Sequence, residues 1–150
     1  MIFKEIVTKI TDLFTKADLA YIESSHFKLS EFACKDGTPY PSEWVDDRLK
    51  PLIEQLELIR EKVGHPITIT SGYRTPTYNR KVGGVKGSMH IEGLAVDLKC
   101  SKMPPHRMHK IISDLIDEGK IMDGGLGKYK TFTHYDIRTL IGKRRARWGK

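Results

Sequence analysis

Ser88-Met-His90-Ile-Glu-Gly93-Leu-Ala95-Val-Asp97 sets a histidine and an aspartate on either side of a glycine, with the aspartate inside the apolar, strand-like run Leu94-Ala-Val-Asp97-Leu98. An ionised carboxylate in such a run is costly to bury unless a charge or a metal stands beside it. Imidazole and carboxylate are both ordinary zinc ligands, so the pair reads as the start of a metal site whose third ligand lies elsewhere in the chain. A candidate sits in Thr131-Phe-Thr-His134-Tyr-Asp136-Ile-Arg138, a second β-rich run in which a period of two puts Phe132, His134, Asp136 and Arg138 on one face. Two histidines and one aspartate leave a fourth tetrahedral position open. A water held there is acidified toward neutral pH, so the constellation reads as a hydrolytic centre rather than a closed structural site.

The surrounding chain supplies a frame for these two runs. Ser42 can cap residues 43–63, where Trp44, Val45, Leu49, Leu52, Ile53, Leu56 and Ile59 make a helical stripe and Pro51 ends a first short helix or opens a second. Gly64-His65-Pro66 stops it. Residues 27–32 read as a short extended entry ending in a cap at Ser30, and residues 35–41 as a loop. Residues 67–70 form a β-branched strand, and residues 71–85 a loop rich in Gly, Pro and Asn that leads from that strand toward the histidine. Residues 94–100 are a second strand, and residues 106–118 carry Met108, Ile111, Ile112, Leu115 and Ile116 at helical spacing up to Gly119. A glycine-rich hairpin region over residues 121–130 precedes the last strand, residues 131–137. Strands and helices are segregated, which predicts an α+β fold with a small, mainly antiparallel sheet and flanking helices.

Several separated segments resemble the zinc D-Ala-D-Ala carboxypeptidase family of cell-wall peptidases, which shares its fold with hedgehog signalling domains. Ser71-Gly-Tyr-Arg74 with Pro76 and Asn79 resembles the family's Gly-Tyr-Arg segment, and Ser88 to Asp97 its Ser-x-His-x-x-Gly-x-Ala-x-Asp motif. Gly125-Leu-Gly127-Lys-Tyr129 followed by His134-Tyr-Asp136-Ile-Arg138 resembles its closing segment, and Arg147-Trp148 the pair that often ends its domain. The resemblance implies a hedgehog/DD-peptidase-like fold, Zn2+ held by His90, Asp97 and His134, Arg74 as a substrate-side cation, and a peptidoglycan stem peptide as substrate, cut by a carboxypeptidase or endopeptidase. Many relatives carry Glu or Asp three positions before the last ligand, or His two before it. Here those positions hold Thr131 and Phe132. The general base is therefore sought in Asp136, with Glu92 and Asp123 as alternatives, and a catalytically silent, hedgehog-like binding module is the competing reading.

Each of these residues also has a plainer account. Asp97 could be a core aspartate paired to an arginine, but the motif around it favours the metal, whereas Asp136 divides between a partner of Arg138 or Arg147 and an aid to catalysis. Arg74 could brace its loop, yet a planar guanidinium suits a terminal carboxylate or an oxyanion. Ser88 is expected to hydrogen-bond substrate or ligand, since no histidine is placed to make it a nucleophile. His26, His65, His106 and His109 are read as structural or exposed. Residues 83–88, Gly-Gly-Val-Lys-Gly-Ser, lack the ending of a phosphate loop, and His90-Ile-Glu lacks the cysteine pair of zinc deaminases.

With 150 residues, 39% of them apolar and 30% charged, and no repeat, the chain is expected to be one domain over residues 1–150, favouring a monomer. Residues 1–25 are expected to form an amphipathic helical segment packed on it, through Ile2, Phe3, Ile6, Val7, Ile10, Leu13 and Phe14. Glu5 and Asp12 interrupt that stripe, so neither a signal peptide nor a membrane span is expected. The expected setting is synthesis in the cytoplasm and action on the cell wall, as a phage lysis or tail-associated enzyme or after export by another route. Cys34 and Cys100 are expected to be reduced. The net charge of +7 is concentrated in Lys143, Arg144, Arg145, Arg147 and Lys150, a run expected to serve structure and solubility ahead of nucleic acid binding.

Overall fold

The computed structural model describes residues 14–149. Its elements are α1 (Lys16–Ser24), α2 (Leu29–Phe32), a 3-10 turn (Ser42–Trp44) running through a π-type turn (Val45–Leu49) into α3 (Lys50–Val63), β1 (Thr68–Ser71), α4 (Pro76–Lys81), β2 (Ala95–Lys99), α5 (Pro105–Asp117), β3 (Gly125–Lys128), β4 (Thr133–Asp136), a 3-10 turn (Arg138–Ile141) and β5 (Ala146–Gly149). The class is α+β, as the segregation of helical and strand patterns predicts. Five strands lie in the order β1-β2-β4-β3-β5, with antiparallel pairing except between β3 and β5, which run parallel.

Pro51, which has no N–H to donate, stands in the first turn of α3, where the π-type turn runs into it, and the helix ends where Gly64 adopts φ 75°. Its Leu52, Ile53, Leu56, Ile59 and Val63 are buried. Met108, Ile112, Leu115 and Ile116 of α5 are buried as well, and α5 packs on α3, β3 and β4. Val96, Leu98, Leu126 and Tyr135 have almost no exposure and join this core. They are the even-numbered residues of β2 and β3 and an odd one of β4, which the pairing aligns on one face of the sheet.

The other face is the one that matters for chemistry. In register across four strands lie Asp97 of β2, His134 of β4, Gly127 of β3 and Trp148 of β5. The adjacent row holds Ala95, Asp136, Gly125 and Ala146. Asp97 and His134 are thus direct cross-strand neighbours, close enough for their side chains to share one ligand.

Three expectations change. Ser30 lies inside α2, and Lys28 takes the cap position, its N–H bonded to the Glu31 carboxylate at 2.9 Å. The loop after β1 contains α4, capped by Thr75, whose hydroxyl accepts from the Tyr78 N–H. The basic end is a strand, β5, that makes the sheet mixed. The helical stripe expected of residues 2–13 lies outside the described residues, while Phe14 is buried and α1 contributes the buried Ile22. No helix among the described residues is long and apolar enough to cross a membrane.

Candidate metal centre

His90 sits in a tight turn before β2, and the turn is braced from three sides. The Arg74 N–H donates to the His90 carbonyl at 3.0 Å, the Tyr40 hydroxyl to the Gly93 carbonyl at 2.8 Å, and the Arg48 guanidinium to the carbonyl and carboxylate of Glu92. Gly93 turns the chain at φ 68°, and a Cβ there would press on Trp44 and Tyr40. The chain is thereby aimed so that the His90 ring points inward, where Nδ1 meets the Gly72 carbonyl at 2.8 Å. A carbonyl only accepts, so Nδ1 carries the proton and Nε2 is left with a bare lone pair.

The second ring repeats this logic with a different partner. His134 Nε2 lies 2.7 Å from Asp136 Oδ2, so the proton belongs on Nε2 and Nδ1 is bare. Both bare nitrogens face the same atom: His90 Nε2 and His134 Nδ1 each stand 3.2 Å from Asp97 Oδ1. Three electron-pair donors turned toward one another repel unless a cation lies between them. Ligands about 2.0–2.1 Å from a tetrahedral zinc are spaced about 3.3 Å apart, close to the 3.2 Å observed. Ligand atoms of His90, Asp97 and His134 all lie within 4.8 Å of one another, and all three residues are buried. The donor set fits zinc.

Charge around the trio is arranged unequally. Burial lowers the basicity of His90 in spite of Asp97. Burial acts the same way on His134, but hydrogen bonds to Asp136 and Asp97 outweigh it and raise that ring above its ordinary value. Burial pushes the Asp97 carboxyl up while its bonds to the two imidazoles pull harder, leaving it well below the usual carboxylate range. Arg74 reaches Asp97 Oδ2 at 3.2 Å, and its other nitrogens bond Ser71 Oγ and Asn79 Oδ1. Asn79, almost wholly buried, also donates to the Val85 carbonyl and so ties Arg74 to the glycine-rich segment before Ser88.

The trio opens on a cavity of about 550 Å³ whose lining includes Arg74, Ser88, His90, Asp97 and His134. Ser88 Oγ accepts from the His90 N–H at 3.2 Å. Asp136 lies beneath the cavity, with no exposure. Its two oxygens take Nε2 of His134, the Gly125 N–H, and the backbone and guanidinium of Arg138. Glu92 is engaged by Arg48, and Asp123 by Arg145 and Arg147. Among the described residues, Asp97 is the one carboxylate on the cavity wall.

Lys86, Tyr129, Phe132, Arg138 and Trp148 also line the cavity. Tyr129 and Phe132 stack with centroids 4.2 Å apart, and the Trp148 indole stands 4.9 Å from the His134 ring. The period of two that sets Phe132 and Arg138 on the face of His134 is legible in the sequence, whereas the places of Lys86, Tyr129 and Trp148 do not follow from spacing, although Gly125-Leu-Gly127 carries a signal. A Cβ on Gly125 would run into the Asp136 carboxylate, and one on Gly127 into the Trp148 indole. His106 and His109 stay outside any three-residue ligand cluster among the described residues.

The family model described as Peptidase M15 matches residues 24–136, and the chain belongs to that family. No curated protein matches the chain.

Proposed function

We propose that this member of the M15 peptidases is a zinc hydrolase of amide bonds in peptidoglycan stem peptides, of carboxypeptidase or endopeptidase type, with His90, Asp97 and His134 as its metal ligands. The observation that carries this reading is the convergence of two bare imidazole nitrogens on one carboxylate oxygen at the floor of an open cavity. Zinc bound there would polarise a scissile carbonyl and lower the pKa of a water at its open position.

The chain's own residues have separable parts. Gly72 and Asp136 fix the tautomers and orientations of the two rings, as partners of metal-bound histidines generally do. Arg74 holds the outer oxygen of Asp97 and offers a planar cation to a substrate carboxylate or an oxyanion. Ser88, on the same wall, supplies a hydroxyl to the bound peptide. Asp136 serves as the orienting group of His134 rather than as the proton acceptor, because both of its oxygens are taken and it does not reach the cavity.

The test is digestion of purified peptidoglycan by zinc-loaded protein, with and without a chelator, followed by mass spectrometry of the released muropeptides. A new peptide terminus that disappears with chelator is the expected result. One observation favours the alternative of a silent, partner-binding module: no candidate acid other than Asp97 lines the cavity among the described residues. Intact muropeptides in the presence of full zinc occupancy would select that alternative.

A further inference from the structure

Strand β5 lies beyond the residues matched to the family, yet it closes one side of the cavity. Parallel pairing with β3 sets Trp148 level with Gly127, and antiparallel pairing sets His134 level with Gly127 on the opposite side. Because Gly127 has no side chain, nothing stands between the indole and the imidazole, and their ring centroids approach to 4.9 Å. Trp148 Nε1 donates to the Tyr129 hydroxyl at 2.8 Å, Tyr129 stacks on Phe132, and the Arg138 guanidinium lies over the indole at 5.3 Å. The outcome is a continuous aromatic wall from His134 to the cavity rim.

Apolar surface is also concentrated here. Six large apolar side chains are exposed among the described residues, and three of them line this cavity: Val85 at 73%, Val82 at 47% and Tyr129 at 40%. Exposed apolar groups gathered around one concave site are the mark of a ligand surface, since water is displaced from them only when something binds.

We propose that Trp148, with the Tyr129–Phe132 stack, is the specificity wall of the site: it receives the hydrocarbon face of a substrate residue flanking the cleaved amide. The absence of a side chain at Gly127, between Trp148 and His134, places that wall directly against the reacting end of the cavity. Recognition by this surface is by shape and apolar contact, and it discriminates against a residue that has no side chain.

This inference rests on the hydrolase reading, and the experiment separates the two. The bond cut in purified peptidoglycan is identified by mass spectrometry, and two synthetic peptides carrying it, with alanine or glycine at the flanking position, are compared. Wild-type protein is expected to favour alanine by roughly 10-fold in kcat/KM, the scale of discrimination that an apolar pocket exerts on small hydrocarbon groups. Trp148→Ala is expected to raise KM for the alanine peptide, bring that ratio to about 2 or below, and keep its zinc by elemental analysis. Trp148→Phe should restore part of the preference. An unchanged ratio in zinc-loaded Trp148→Ala overturns the proposal. Should that variant fail to fold, Tyr129→Ala and Phe132→Ala at the rim carry the same expectation, and an unchanged ratio in both overturns it equally. If wild-type protein cuts nothing, the hydrolase reading fails, and calorimetric titration of soluble muropeptides into zinc-loaded wild type and Trp148→Ala decides the wall: weaker binding by the variant supports it, and equal binding removes it.

Discussion

His90 and His134 face the same aspartate oxygen but are held in opposite ways. His90 leans on a neutral backbone carbonyl at the start of a braced turn, and His134 leans on a buried carboxylate that is itself clasped by Arg138. A carbonyl fixes a tautomer without adding charge, so burial dominates and His90 is a weak base. A carboxylate fixes the tautomer and feeds charge into the ring, so His134 is the stronger base despite deep burial. The two halves of the site therefore divide the work: one is positioned by chain geometry, the other tuned by electrostatics.

The widest break in this comparison comes from the ligands, where the two halves should behave alike. His90→Ala, Asp97→Ala and His134→Ala are each expected to lose more than the roughly 10–100-fold in metal affinity that follows loss of a supporting partner, with hydrolysis lost alongside. Elemental analysis and muropeptide digestion check this, and full zinc in His134→Ala would remove that residue from the site.

Next in size is Asp136→Asn, which keeps shape and removes the charge that distinguishes the His134 half. Zinc affinity is expected to fall by about 10–100-fold, measured by competition with a chelating dye. Stability should fall by on the order of 2–3 kcal/mol in denaturant, since the Arg138 guanidinium loses its bidentate partner while retaining some exposure. Acid should reproduce the stability loss in the parent. Burial raises the Asp136 carboxyl, but hydrogen bonds from His134 and Arg138 overcome this and hold it below its unfolded value. A lowered folded pKa contributes stability above about pH 4 and loses it as pH falls further, so metal-free wild type is expected to destabilise below that point more steeply than Asp136→Asn.

A finer measurement uses proton competition for the metal-free site. Because His134 is raised and His90 lowered, zinc affinity should weaken, as pH drops, first through protonation of His134, above the ordinary histidine value of about 6.5. In Asp136→Asn the onset should move to lower pH, because the charge that raised His134 is gone. Zinc titrations across a pH series read this, and an unmoved onset would mean that Asp136 does not set the basicity of His134.

Least is expected from Glu92→Gln. Its side chain is 40% exposed and paired with Arg48 outside the cavity, so hydrolysis should hold at the wild-type rate and stability should change by about 1 kcal/mol or less. A collapse of turnover with zinc retained would reinstate Glu92 as proton acceptor.

The two halves also differ in how openly the sequence declares them. His90 and Asp97 are close in sequence and flank a glycine turn, so their meeting is a local matter that spacing and an improbable buried charge can announce. The period of two along residues 132–138 brings out His134 and its supporting Asp136, although alternation alone cannot tell that Asp136 is sealed beneath the cavity by Arg138 and the Gly125 N–H. Thr75-Pro76 is a cap followed by a first-turn proline and marks α4, but the glycines and asparagine around it disguise so short a helix. The wall residue Trp148 is the least legible. Its place depends on a parallel pairing between β3 and β5, which no local pattern specifies; the resemblance of Arg147-Trp148 to the pair that often ends the family's domain favours a folded edge there but does not point to the cavity.

Because Asp97 and His134 are directly paired residues on adjacent antiparallel strands, the site acts as a proofreader of how β2 and β4 align. A slip of one residue turns His134 to the opposite face of the sheet, where Asp97 cannot meet it. A slip of two preserves the face but brings Asp97 opposite Phe132 or opposite Asp136, either an apolar neighbour or a like charge. Only the native alignment assembles three donors, so any cation that binds them rewards that alignment alone, and the sheet's correct threading and its chemistry become a single selected state.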